Sequence, residues 1–110
     1  ILLLENDGIL PISEQKAGKV AIIGNNAKDT FMGDYITHEE HCISFYDGMV
    51  NRIGAENILY ARGCNPISGS DGMIAEAVEQ AKKADTVFLV LGDSDGVGGG
   101  VPGINQESKN

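Results

Sequence analysis

The run Thr86-Val87-Phe88-Leu89-Val90-Leu91-Gly92 decides the fold of this chain. It is apolar or β-favouring throughout, shows no polar alternation and stops at a glycine, as is typical of a strand buried on both faces in a parallel sheet. In an open α/β sheet, ligands collect in the crevice beyond the carboxyl ends of the strands. Residues 93–110 follow this strand directly and are rich in glycine, so we expect the functional groups of the chain in that loop.

Two further strands and two helices are predicted upstream. Apolar runs at residues 19–23 and 58–61 are each followed by turn residues and are predicted to be strands. Residues 44–53 place apolar side chains at helical spacing after a Ser44 cap, and residues 72–84 carry one apolar stripe, so both are predicted to be helices. This alternation predicts an α/β fold: a three-layer sandwich with a mainly parallel sheet, the first βαβαβ portion of a larger domain.

The chain is interpreted as a linker followed by part of one domain. Residues 1–18 contain an Asn-Asp-Gly turn and Pro11, which blocks a helix interior, and are predicted to be an inter-domain linker. Residues 19–110 are predicted to be a partial α/β sandwich domain of a longer protein. Because a sandwich sheet interrupted in this way exposes an edge and an apolar face, we expect the fragment to self-associate.

Composition and charge argue against two classes of partner. The chain has 110 residues and a formal net charge of −8, with only eight Lys and Arg side chains, which disfavours nucleic acid as a partner. No apolar stretch reaches transmembrane length, so a membrane is not expected as a partner either. The segment Ile1-Leu2-Leu3-Leu4 lacks the basic region and cleavage site of a secretory signal, and the compartment stays open.

Neither a cofactor nor a metal ion is expected. Residues 98–103 spell Gly-x-Gly-x-x-Gly, but Pro102 and the polar run after it do not begin a helix, as a dinucleotide fingerprint requires. The motif His38-Glu39-Glu40-His41 has no third ligand at evident spacing and is interpreted as a solvated acidic loop. Cys42 and Cys64 lack metal-type spacing and are interpreted as small apolar residues or free thiols. A small nucleotide-binding module remains the weakest hypothesis.

Several short motifs occur in a fixed order along nearly the whole chain. They are Leu3-Leu4-Glu5-Asn6 with Leu10-Pro11-Ile12, the strand and turn ending in Gly24-Asn25-Asn26-Ala27, Gly33-Asp34-Tyr35, Tyr60-Ala61-Arg62-Gly63-Cys64, and the helix-strand run of residues 75–92. In this order they resemble the start of the second domain of glycoside hydrolase family 3, the β-glucosidase and β-xylosidase group. In that family, lysine is usual where Glu5 stands.

The resemblance implies an α/β sandwich domain that packs behind a (β/α)8-type barrel and completes its active site. In that family the nucleophile is an aspartate on the barrel, and the proton donor is a glutamate in the glycine-rich loop of the sandwich domain. Glu107, in Glu107-Ser108-Lys109-Asn110, matches the start of that pattern and is the candidate acid/base. The implied partner is a β-linked oligosaccharide or glucoside ending in glucose or xylose, bound together with the barrel.

Each of these polar residues also has a structural interpretation. Glu107 is also consistent with a solvated loop charge. Asp93 and Asp95 are candidate substrate-binding residues that accept hydrogen bonds from sugar hydroxyls, or they end the strand through turn chemistry. Asn25 and Asn26 are expected to stabilise their loop through side-chain to backbone hydrogen bonds. The alternative to a glycoside hydrolase domain with Glu107 as acid/base is therefore a non-catalytic α/β domain that buttresses a barrel or mediates association.

Overall fold

The computed structural model describes residues 1–29, 42–65 and 69–92. The predicted alternation of strands and helices is confirmed. The elements in chain order are helix α1 (Glu14–Ala17), strand β1 (Val20–Ile23), helix α2 (Phe45–Ile53), a 3-10 turn (Ala55–Asn57), strand β2 (Ile58–Ala61), helix α3 (Asp71–Ala81) and strand β3 (Thr86–Leu89).

The three strands form one parallel sheet in the order β2-β1-β3. The first strand of the chain is therefore the central one, and all four of its residues are buried. The predicted sandwich is also confirmed, because α2 and α3 cover opposite faces of this sheet.

Side-chain alternation along β1 divides the core into two halves. Val20 and Ile22 point to the face covered by α2, which we call the α2 face, and both are fully buried there. Ala21 and Ile23 point to the other face, the α3 face, where they pack with Ala77 of α3. The larger side chains lie on the α2 face, so most of the apolar burial that stabilises the fold is on that side.

Strand β3 is partly buried on one face and exposed on the other, which corrects the prediction of burial on both. Phe88 packs against Phe45 of α2 with ring centroids 5.5 Å apart. On the α3 face, however, Val87 and Leu89 remain 46% and 64% exposed. Helix α3 packs on β2 and β1, so this face of β3 has no cover within the described residues.

Both long helices begin at a serine cap. The Ser44 hydroxyl oxygen accepts a hydrogen bond from the Asp47 backbone N–H at 3.0 Å, as the sequence predicts. The Ser70 hydroxyl oxygen accepts one from the Met73 backbone N–H at 3.3 Å. Each cap satisfies one backbone donor that would otherwise have no partner in the first turn.

The chain begins with an exposed segment without helix or strand, which leads through α1 to the central strand. Asn6 organises a turn, its side-chain oxygen accepting from the Gly8 and Leu10 backbone N–H groups at 3.2 and 3.0 Å. Ala17, at the end of α1, is buried in the core, and its carbonyl accepts a hydrogen bond from the Thr86 hydroxyl at 2.7 Å. The assignment of residues 1–18 to a linker remains a prediction.

Candidate functional site

The carboxyl ends of the three strands lie along one edge of the sheet, as the sequence predicts. The parallel register pairs Ile23 of β1 with Ala61 of β2 on one side and with Leu89 of β3 on the other. The three segments that leave this edge begin at Gly24, Arg62 and Val90. The starts of these three segments therefore lie side by side at the edge where open α/β sheets hold their ligands.

Backbone atoms of β1 and β3 make a close contact at this edge. The Val90 backbone N–H donates to the Ile23 carbonyl at 2.7 Å, and the Asn26 backbone N–H donates to the Val90 carbonyl at 3.4 Å. Gly24 lies between these bonds with a φ of +140°, and a Cβ on it would meet the Val90 carbonyl oxygen at 2.0 Å. Only glycine fits both the dihedral angle and the space.

Two asparagines hold the chain as it leaves β3. Asn25 is 4% exposed, and its side-chain amide donates to the Gly92 carbonyl at 3.4 Å. This confirms the predicted side-chain to backbone bond for Asn25. A Cβ on Gly92 would lie 2.6 Å from the Asn26 side-chain nitrogen, so these two residues touch. The Asn26 side-chain oxygen is buried and has no hydrogen-bond partner in the described part of the chain.

A layer of charged and aromatic side chains lies next to this edge. The Arg62 guanidinium donates to the Asp29 carboxylate at 3.0 Å, with the two side chains 42% and 36% exposed. The Lys28 ammonium lies 4.1 Å from the centre of the Tyr46 ring and 4.0 Å from that of Tyr60, a cation–π arrangement with both. These contacts have no local sign in the sequence, because their partners are far apart along the chain.

Burial has one clear electrostatic effect here. It raises the pKa of the Tyr60 phenol, while the nearby Arg62 charge acts in the opposite direction and Asp29 in the same one. Burial thus favours the neutral, protonated phenol over the phenolate. On the far side of α3, the hydrogen bond from Lys82 lowers the pKa of the exposed Glu79, opposite to the direction a general acid needs.

The predicted site residues themselves lie outside the described residues. This applies to Glu107, Asp93 and Asp95, and also to the glycine run of residues 98–103 and the motif of residues 38–41. The structure does show where the segment with Asp93, Asp95 and Glu107 begins. Residue 93 follows directly on Gly92, whose carbonyl accepts a hydrogen bond from the Asn25 side chain. The described residues contain no group of three or more His, Cys, Asp or Glu side chains that could hold a metal ion.

A groove of about 330 Å³ opens on the α3 face between α3 and β3. Its floor is formed by Ile23, Leu89 and Leu91, and its lining from α3 is Ile74, Ala77, Val78 and Ala81. Gly63, Cys64 and Arg62 lie at the end nearest the carboxyl edge, and Arg62 is its one charged lining residue in the described part of the chain. The groove is suited to an apolar partner rather than to a sugar.

Comparison with known proteins gives one family and several relatives. Residues 1–108 match the model of the glycosyl hydrolase family 3 C-terminal domain. A beta-xylosidase from Formosa agariphila is 36% identical over 104 residues, which is 86% of this chain and 14% of that protein. A probable beta-D-xylosidase 7 from Arabidopsis thaliana is 32% identical over 117 residues, 97% of this chain and 15% of that protein.

A further relative from Arabidopsis thaliana, beta-D-xylosidase 3, is 35% identical over 97 residues, 84% of this chain and 12% of that protein. The chain thus spans about one seventh of the length of the first relatives it matches. Among the described residues, no helix combines the length and apolar character needed to cross a membrane.

Proposed function

The chain belongs to the glycosyl hydrolase family 3 C-terminal domain family, and on that premise we propose that it carries the catalytic acid/base of a β-xylosidase. The sequence left glucose and xylose as alternative terminal sugars. The relatives described above are named as xylosidases, which favours a β-linked xylose residue over glucose as the substrate. The family match supports a glycoside hydrolase as the protein in which this chain works. The choice of sugar and the acid/base role of Glu107 are our proposal.

The proposed chemistry is hydrolysis with retention of configuration. It requires two carboxyl groups about 5 to 5.5 Å apart, of which one attacks the anomeric carbon and the other protonates the departing glycosidic oxygen. We assign the second role to Glu107, which then takes a proton from the water that releases the sugar. The nucleophile belongs to another domain of the longer polypeptide, so residues 1–110 alone are expected to be inactive.

The acid role demands a glutamate with a raised pKa. Burial or a neighbouring negative charge produces that shift, and both would arise when a second domain closes over the carboxyl edge of the sheet. We propose that Asp93 and Asp95, at the start of the same loop, accept hydrogen bonds from sugar hydroxyls.

The single observation that carries this proposal is the extent of the family match. It covers residues 1–108 and so includes both the described sheet and Glu107. The sheet supports the same assignment, because the chain leaves β3 at the carboxyl edge, the place where open α/β sheets hold their ligands.

The test uses the longer natural polypeptide that contains this chain. Replacing the proton donor should reduce kcat/KM about 100-fold or more on alkyl or oligosaccharide xylosides, but far less on activated aryl xylosides, whose leaving groups need little protonation. We therefore expect Glu107→Ala to separate the two substrate classes. The matched control is Glu79→Ala, which removes a carboxylate from the exposed face of α3 and should leave both rates unchanged.

Equal losses on both substrate classes would reject the acid role of Glu107. Unchanged rates for Glu107→Ala would instead support a non-catalytic domain that buttresses the barrel. An absence of xyloside hydrolysis in the unmodified polypeptide, with glucoside hydrolysis present, would reject only the choice of sugar.

We also propose that the isolated 110-residue chain self-associates through β3. In the part of the chain that the structure describes, β3 is an edge strand of the sheet, and an edge strand without a neighbour offers its free backbone groups to another copy. Light scattering should show a dimer or larger species. A monodisperse monomer at all concentrations would contradict the proposal.

A further inference from the structure

Asn26 carries a buried hydrogen-bond acceptor that none of the described residues satisfies. The residue as a whole is half-buried, but its side-chain oxygen is shielded from solvent and has no partner within residues 1–29, 42–65 and 69–92. An amide oxygen removed from water is destabilising unless a donor reaches it, so buried polar atoms of this kind are nearly always hydrogen-bonded. A donor for this oxygen is therefore expected close by.

The acceptor lies against the point where the chain leaves β3. The Asn26 backbone N–H donates to the Val90 carbonyl at 3.4 Å, and the Asn26 side-chain nitrogen lies 2.6 Å from where a Cβ on Gly92 would be. The neighbouring Asn25 side chain donates to the Gly92 carbonyl at 3.4 Å. The turn after β1 thus holds residues 90–92 through backbone and side-chain contacts. The next backbone donors along the chain belong to residues 93 and 94.

We propose that the Asn26 side-chain oxygen accepts a hydrogen bond from the backbone N–H of Asp93 or Ser94. Asn26 is thereby a positioning residue for the carboxylates of Asp93 and Asp95. This role rests on the proposed function, in which these two aspartates accept hydrogen bonds from sugar hydroxyls. A hydrogen bond at the start of the segment restricts the backbone from which they project, and polar groups that bind a substrate lose effect when they are displaced by about 1 Å.

Two other donors compete with this assignment. Arg62 has a buried Nε without a partner among the described residues. It follows β2, however, on the opposite side of β1 from β3, and its guanidinium is held by Asp29 at 3.0 Å. A trapped water molecule is the second rival. Either rival would leave the N–H groups of residues 93 and 94 without Asn26 as acceptor, so the exchange of those two amides with solvent distinguishes the three cases.

Hydrogen exchange in the longer natural polypeptide, resolved to single amides by fragmentation in a mass spectrometer, tests the bond. In the unmodified protein one amide at residue 93 or 94 should exchange slowly. Asn26→Leu keeps the approximate size of the side chain without the acceptor, and should speed that exchange about tenfold. Asn26→Asp keeps an acceptor oxygen and should preserve the protection.

The amides of the central strand Val20–Ile23 are the internal reference, because unchanged protection there shows that the sheet is intact. Asn26→Ala also lacks the acceptor, and it repeats the comparison should leucine disturb the sheet.

Enzyme kinetics of the same variants test the positioning role. If Asn26 acts through Asp93, Asn26→Leu should lower kcat/KM about tenfold through KM, equally on alkyl and activated aryl xylosides. Loss of the proton donor would instead separate these two substrate classes. In an Asp93→Ala background, Asn26→Leu should have no further effect on KM, whereas two independent effects would add.

Three outcomes would overturn the proposal. Fast exchange at residues 93 and 94 in the unmodified protein would exclude the bond and leave Arg62 or water as the donor. Slow exchange that persists in both Asn26→Leu and Asn26→Ala would assign the protection to another group. Additive effects of Asn26 and Asp93 on KM would reject the positioning role. If exchange responds as expected but neither Asn26→Leu nor Asp93→Ala changes KM, the hydrogen bond stands and the proposed sugar contact of Asp93 is rejected.

Discussion

Gly24→Ala is expected to be among the most damaging single-methyl substitutions in this domain. In the structure a Cβ at Gly24 would lie 2.0 Å from the Val90 carbonyl oxygen and 2.6 Å from its carbon, where ordinary contacts begin at 3.4 Å. Relief of this clash requires the end of β3 to move away from β1 by more than 1 Å. The two hydrogen bonds that Val90 makes there, to Ile23 and from Asn26, would lengthen or break.

The expected cost follows from these contacts. Each lost backbone bond removes about 1 kcal/mol. The φ of +140° adds a strain of about 1–3 kcal/mol for a residue with a side chain. Together the change should lower the free energy of unfolding by about 4 kcal/mol, a large part of the stability of a small domain.

Urea unfolding of the 110-residue chain, followed by circular dichroism at one fixed chain concentration for all variants, measures this loss, because association through β3 makes the apparent stability depend on concentration. The matched control is Gly72→Ala in the first turn of α3, where the nearest atom to an added Cβ is 3.8 Å away and φ is not positive. Because alanine favours a helix over glycine, the control should be neutral or stabilising by up to about 1 kcal/mol. A loss of less than about 1 kcal/mol for Gly24→Ala would refute the claim that β1 and β3 are in backbone contact at this edge.

Two further predictions concern the core and its titration. Ile22→Ala removes a fully buried side chain from the central strand and should lower the free energy of unfolding in urea by about 3 kcal/mol. Leu4→Ala, at an 87% exposed position, should lower it by less than about 0.5 kcal/mol. Similar losses for the two variants would contradict the placement of the core. For Tyr60, the raised pKa means that the folded state holds the phenolic proton more tightly than the unfolded state, so its contribution to stability is complete below about pH 10 and is lost as pH rises above that value. Urea midpoints between pH 8 and 11 should fall less steeply for Tyr60→Phe than for the unmodified chain, and parallel curves would show that burial of this phenol is not coupled to folding.

Local sequence signals predicted the elements well because the interactions behind them are local. The helix start at Ser44 follows from a cap and Asp47 three residues later, and the structure shows that hydrogen bond. The strand at residues 20–23 follows from an uninterrupted apolar run, whereas its central position in the sheet was not predicted. The short α1 was missed, since a four-residue helix has too few positions to show a period.

Sequence reasoning failed where the outcome depends on position within the sheet. The apolar run of β3 resembles that of β1, but among the described strands β3 lies at an edge. The sequence of the strand itself does not indicate whether a helix covers its α3 face. The bond from Asn25 to Gly92 spans 67 residues, so its donor was predicted and its acceptor was not. The position of Lys28 between two tyrosine rings depends in the same way on tertiary packing.

The pH dependence of kcat/KM in the longer natural polypeptide tests the central claim most directly. A general acid must be protonated in the free enzyme, so its ionisation produces the alkaline limb of a bell-shaped profile. We predict that Glu107→Gln, assayed on an activated aryl xyloside to keep a measurable rate, abolishes the alkaline limb and leaves the acidic limb in place. A variant profile with both limbs at unchanged pH values would contradict the claim that Glu107 is the acid/base of this hydrolase.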